Sequence, residues 1–253
     1  MNRRTMPPGF PAERMAGNLE VSRVLSHTSP HPAREAWHSA LSLRIPAQLL
    51  VSSGIVMFAW YIVMDVTASL RYDGYSYTDW TISELSAIGA PTRGMWIAAG
   101  VVYQILAFAF AFGVLRMAGR QRTLAIAGWI LLVAAVVGPL WWFAPMHQRV
   151  VLAAGGGDWR DTMHLVLAGV SSLEFFAVMG VAAFAFGRGF RAYTFAAIAV
   201  MFGFGMLMNT MVNDVADNVD TPWLGIWERI TVEGAMLWQA VFAAVLIRHG
   251  RQT

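Results

Sequence analysis

Six long apolar stretches alternate along the chain with short polar clusters. The first runs from Pro46 to Ala68, interrupted only by Asp65 near its end, and the second covers Gly94 to Leu115 without a charge. The third, Leu124 to Phe143, contains Gly138-Pro139 as a tolerated kink, and the fourth, Thr162 to Phe186, carries Glu174 at its middle. The fifth covers Ala192 to Val212. The sixth, Trp227 to Ile247, has Glu228, Arg229 and Glu233 near its start. A helix crosses the hydrocarbon core in about 20 apolar residues, so each stretch predicts a transmembrane helix. The expected fold is all-α, a polytopic membrane helical bundle with six transmembrane helices over residues 45–249. Residues 1–44 are rich in Pro, Ser, His and Arg without a sustained period. They read as a disordered cytoplasmic tail, or in part as an over-extended start with Met6 or Met15 as the initiator. Residues 250–253 form the expected cytoplasmic C-terminal end.

Arginine sets the orientation. Arg3, Arg4, Arg14, Arg23, Arg34 and Arg44 share one side with Arg116, Arg120, Arg122, Arg188, Arg191, Arg248 and Arg251. The other side has Arg71, Arg93, Arg149, Arg160 and Arg229, diluted by the carboxylates from Asp73 to Glu228. Positive loops stay inside, which places both termini in the cytoplasm, N-in and C-in, in a bacterial inner membrane. The connections on the inner side are tight, as at Gly187-Arg188-Gly189. Those on the outer side are longer and rich in Trp, Asp, Asn and Gly, the kind of loop that carries function.

Composition agrees and adds exclusions. Of 253 residues, 57% are hydrophobic and 13% charged, against roughly 25% charged in a soluble domain. The net charge of +3 comes from Arg alone, since the chain has no Lys. These arginines sit at helix ends rather than on one patch, so nucleic acid is not an expected partner. With no cysteine, disulfides, thiolate catalysis and Cys-based metal centres are excluded. Phosphate loops, dinucleotide fingerprints, nucleophile elbows and HExxH are absent, and no cofactor is expected. Arg3-Arg4 resembles a twin-arginine start, but no apolar region follows until about residue 47, so no cleavable signal is read.

The first outer loop, residues 72–93, reads YDGYSYTDWTISELSAIGAPTR. Thr81 to Glu84 fits a capping box, and Gly89 with Pro91 ends the short helix it opens. This is a short interfacial helix anchored by Trp80 and the tyrosines, or a lid whose Asp79, Ser83 and Glu84 point into the bundle. Tyr77 to Pro91, with its Ile82-Ser83-Glu84-Leu85 core and Gly89-Ala90-Pro91, resembles the domain-of-unknown-function 998 family of bacterial and archaeal membrane proteins. Pro145 to Gly169, with His164, and Trp227-Glu228-Arg229-Ile230, followed by Trp238, agree with it. The resemblance covers about residues 47–247, implies six helices in one domain, and brings no established activity.

Glu174 lies halfway through the fourth span, where a carboxylate must be neutralised, paired or hydrated. Ser171, Tyr103, Gln104 and Gln239 lie at similar depth and are expected to meet it, either as glue between helices or as a proton-relay or substrate-binding site. His147, Asp161 and His164 fall at the outer boundary and are candidate zinc ligands, or simply helix-start residues. Asn209, Asn213 and Asp217 would share a polar face if the fifth helix runs outward. Arg229 is expected to pair with Glu233, Glu84 or Asp65.

Three function classes follow. The first is a non-catalytic, lipid-interacting membrane protein whose outer polar cluster is structural. The second is a membrane-embedded hydrolase or transferase for a lipid-type substrate, with Glu84, Asp161, His164 and Glu174 as catalytic candidates and Asp79, Ser83, Glu228, Arg229 and Glu233 as binding ones. The third is a small proton-coupled transporter using Glu174, which would need a homo-oligomer to build a two-fold path. Membrane lipids are the expected partners in all three.

Overall fold

The computed structural model describes residues 45–250, so the expected tail at 1–44 and the end at 251–253 lie outside the described residues. Eight helices follow in order. They are α1 (Ala47–Arg71), α2 (Arg93–Ala118), α3 (Arg122–Val137), α4 (Arg149–Ala153), α5 (Trp159–Ala182), α6 (Arg188–Asn209), α7 (Val212–Ala216) and α8 (Leu224–His249). A 3-10 turn, Ile82–Ser86, lies between α1 and α2, and a second, Gly138–Trp142, continues α3. No strand occurs among the described residues. Six helices, α1, α2, α3 with its 3-10 extension, α5, α6 and α8, are long and apolar enough to cross a membrane. This is the expected multi-pass bundle.

The spans form a curved row in the order α5, α3, α2, α1, α8, α6, whose two ends touch lightly. Small residues bring the central helices together. A side chain at Gly113 of α2 would stand 2.7 Å from the Val51 backbone nitrogen of α1, so only glycine permits that crossing. Ser53 donates across the same crossing to the Leu106 carbonyl, 3.0 Å away. Between α1, α2, α5, α6 and α8 the interior is filled by Phe110, Met57, Met179, Trp238, Phe242 and Leu246. Trp238 and Phe242 stack with centroids 5.3 Å apart, and the Trp238 indole donates to Thr194 on α6.

The kink in α3 has a visible compensation. Pro139 has no N–H to give the Ala135 carbonyl four residues back, and Gln104 on α2 donates its amide to that oxygen instead. Gln104 is therefore not a partner of Glu174.

Helix ends differ from expectation in two places. α5 stops at Ala182 rather than reaching Phe186, because the amides of Phe184 and Ala185 bond three residues back and tighten the chain. Past Asn209 the chain turns before α7 begins at Val212, so Asn209, Asn213 and Asp217 do not lie along one continuous helix.

Candidate functional site

Loops 72–92, 143–158 and 210–223 meet at one end of the bundle, called here the loop end; the start of α1 at Ala47 and the end of α8 at His249 lie at the other, called the terminal end. Polar side chains there are drawn inward by backbone groups needing partners. The 3-10 turn Ile82–Ser86 leaves amides without partners inside the turn. Glu84 closes the expected capping box, accepting from the Thr81 amide at 2.7 Å and the Thr81 hydroxyl at 2.9 Å. Glu228, in the first turns of α8, accepts from the Ile82 amide and from the Ser83 hydroxyl. Both carboxylates are buried. Ser83 thus serves the turn rather than facing an open cavity.

Arg149 joins the three loops. Its Nη2 lies 2.9 Å from Glu84 Oε2, and its Nε also bonds Glu84. Its Nη1 donates to the Thr221 hydroxyl at 2.8 Å, which in turn donates to the Asp79 carbonyl. The guanidinium lies over the Trp80 ring, 5.5 Å from its centroid. Arg149 was not among the candidates; an Arg set against Val150, Val151 and Leu152 was its available signal.

Asp79 holds the start of α8. It accepts from the Trp223 amide at 3.0 Å and from the Ser76 hydroxyl. Those bonds, the Trp223 one foremost, keep its carboxyl below the usual aspartate range. Trp223 has φ +69°, a left-handed conformation costly for so large a residue, at the N-cap of α8. Burial pushes the Tyr72, Tyr75 and Tyr77 phenols up, so they stay protonated.

Arg229 takes Asp65 among its three expected partners, through Nε at 2.8 Å and Nη2 at 2.9 Å. It also donates to the Tyr77 and Gly225 carbonyls and sits 3.5 Å from the Tyr77 ring centroid. A side chain at Gly225 would collide with the Trp80 and Tyr77 carbonyls, so glycine lets the loop rest on α8. Glu233 lies within hydrogen-bonding reach of Asp65, its enclosed carboxyl set against the Asp65–Arg229 pair.

His147 and Asp161 come together as expected, but His164 does not join them. His147 bonds Asp161 through both its amide, at 2.7 Å, and Nδ1, at 2.8 Å. Asp161 also accepts from the Asp158 amide, completing the capping box of α5. Asp158 is tied to Arg160 at 2.8 Å. His147, Asp158 and Asp161 can place ligand atoms within 4.8 Å of one another, and both carboxylates are already engaged, by the α5 start, Arg160 and His147. His164 is buried, pairs Nδ1 with the Ala144 carbonyl at 3.0 Å, and meets the Trp141 ring edge-on. A carbonyl only accepts, so Nδ1 carries the proton. Glu174 is half-buried on α5 with no hydrogen bond to Ser171, Tyr103 or Gln239 among the described residues; Tyr103 instead turns to the Met236 sulfur.

A family model described as a protein of unknown function, DUF998, matches residues 55–245, from within α1 to near the end of α8. No curated protein and no solved structure matches the chain. The match takes in four spans whole, most of α1 and α8, and the loops that Arg149 joins. The chain is thus a multi-pass membrane protein that belongs to the DUF998 family.

Proposed function

We propose that this protein is a non-catalytic, lipid-interacting bundle of the bacterial inner membrane, with both termini in the cytoplasm and the loop end outside. The Arg excess around the terminal end supports that orientation. The observation that carries the reading is the saturation of the buried loop-end charges. Glu84 is engaged by Arg149 and Thr81, Glu228 by the 3-10 turn, and Asp65 by Arg229. Catalytic groups need a face turned toward substrate, whereas these carboxylates face one another's loops. An apolar interior toward the terminal end, with Phe110, Trp238 and Phe242 in contact, also speaks against a polar transport path.

A hydrolase or transferase acting on a lipid-type substrate is the second reading, and the His147–Asp161 pair favours it. A carboxylate bonded to Nδ1 orients an imidazole as a general base does. Among the described residues, however, no hydroxyl is hydrogen-bonded to that imidazole.

The two readings separate in a deletion strain whose membrane lipids are profiled after complementation. His147→Asn, Asp161→Asn and His164→Asn are expected to restore the wild-type profile whenever their thermal midpoints match wild type. A variant that folds normally and fails to restore it would establish the catalytic reading.

A further inference from the structure

A pocket of about 270 Å³ lies at the terminal end, between the last turns of α8 and the start of α6. Phe186, Phe190 and Val245 form its apolar wall, and the exposed side chains of Arg248 and His249 supply its polar part. Aromatic packing fixes the wall. Phe186 meets Phe190 edge-on at 5.1 Å and His249 edge-on at 5.7 Å, which holds the imidazole beside the pocket.

Arg248 has no internal task. Among the described residues it makes no hydrogen bond, ion pair or ring contact. Arg191, at the start of α6, differs in lying 4.6 Å over the Phe184 ring. No counter-charge is near either. The described part of the terminal end carries Arg116, Arg120, Arg122, Arg188, Arg191 and Arg248 and no carboxylate. Residues 1–44 hold six Arg against three Glu, so their net charge is the wrong sign to cover the pocket.

Depth narrows the choice of anion. The 26-residue α8 is about 39 Å long and outspans a core of about 30 Å by a few ångström at each end. Arg248, next to the last residue of α8, therefore stands at headgroup level, while Val245 a turn earlier reaches the hydrocarbon edge. A phosphodiester can meet the Arg248 guanidinium there while its glycerol rests on Phe190 and Val245. A zwitterionic headgroup would bring its own cation to an end already rich in arginine. The volume lies just under the roughly 300 Å³ at which small-ligand pockets begin, so it takes a headgroup and leaves the acyl chains in the bilayer.

We propose that this pocket binds the headgroup of an anionic phospholipid, of the phosphatidylglycerol class, with Arg248 on its phosphate. The proposal rests on the lipid-interacting reading and names its ligand class.

The full chain reconstituted in phosphatidylcholine nanodiscs, with the same minor fraction of either dioleoylphosphatidylglycerol or dioleoylphosphatidylethanolamine, tests it by native mass spectrometry. Wild type is expected to retain one phosphatidylglycerol and no phosphatidylethanolamine. Arg248→Gln is expected to lower that retention about fivefold, the worth of one arginine at an anionic surface. Its thermal midpoint is expected to stay unchanged, because Arg248 has no bond within the protein to lose. Arg120→Gln removes the same charge outside the pocket lining and is expected to keep the wild-type retention. Equal retention of phosphatidylethanolamine, undiminished retention by Arg248→Gln, or an equal loss in both variants overturns the proposal; the last would mean a diffuse arginine field rather than a site. Phosphatidylglycerol retained at Arg248 but recovered with an acyl or headgroup change would support the pocket and defeat the non-catalytic reading. Wild type that neither retains nor converts phosphatidylglycerol would defeat the pocket alone.

Discussion

Arg149 and Glu84 stand 65 residues apart in sequence and meet through two guanidinium nitrogens at the loop end, with Nη2 2.9 Å from Oε2. Both side chains are almost fully buried, at 5% and 4% exposure. Charges so enclosed persist only when paired and hydrogen-bonded, and here the pairing also orders three loops. The relationship turns a cluster rich in catalytic residue types into a closed cap.

The kink in α3 gives a prediction that reads the helix chemistry directly. Gln104→Leu leaves the Ala135 carbonyl without its donor and is expected to cost about 1–3 kcal/mol. Adding Pro139→Ala supplies an amide four residues on and is expected to recover part of that loss. Unfolding in detergent, followed by circular dichroism for the single and double variants, checks this. Equal stability of both variants would show that Gln104 does not replace the missing amide.

Asp79 predicts a pH dependence. Its folded-state pKa lies below the ordinary aspartate value, so its stabilising effect is complete above about pH 4 and is lost as pH falls through the lowered value. Asp79→Asn keeps the shape and removes the charge. The variant is expected to melt below wild type at neutral pH, with the two midpoints converging in strong acid. A gap that widens toward acid contradicts the role.

The sequence has no cysteine, which makes orientation easy to read. Single substitutions Asp73→Cys, Ala154→Cys and Asp214→Cys lie in the loop-end connections and are expected to react with an impermeant maleimide on intact spheroplasts. Arg120→Cys and Gly187→Cys are expected to react only after lysis. The reverse pattern places the termini outside.

Spans were legible because a hydrocarbon core imposes length and apolarity on each one. Their ends were less so: α8 begins at Leu224, before Trp227, because Asp79 from a distant loop holds the Trp223 amide. The capping box at Thr81 and Glu84 was readable as a local pattern of fixed spacing. Glu84's partner was not, since Arg149 arrives from another loop and spacing says nothing about it. Arg229 could be narrowed to three carboxylates by depth, and only the packing of α1 on α8 selects Asp65. His164 was grouped with His147 by residue type, but the two sit on different elements and its ring is turned to Ala144.

The closed cap is tested most directly by the unfolding free energy of Glu84→Gln in lipid nanodiscs. Removing one partner of a buried, bidentate pair leaves Arg149 enclosed without its counter-charge, and a loss of about 3–5 kcal/mol is expected. Residues retained for catalysis behave differently, because their removal often leaves stability unchanged or raises it. A stability within about 0.5 kcal/mol of wild type, or above it, would contradict a structural cap and return Glu84 to the catalytic candidates.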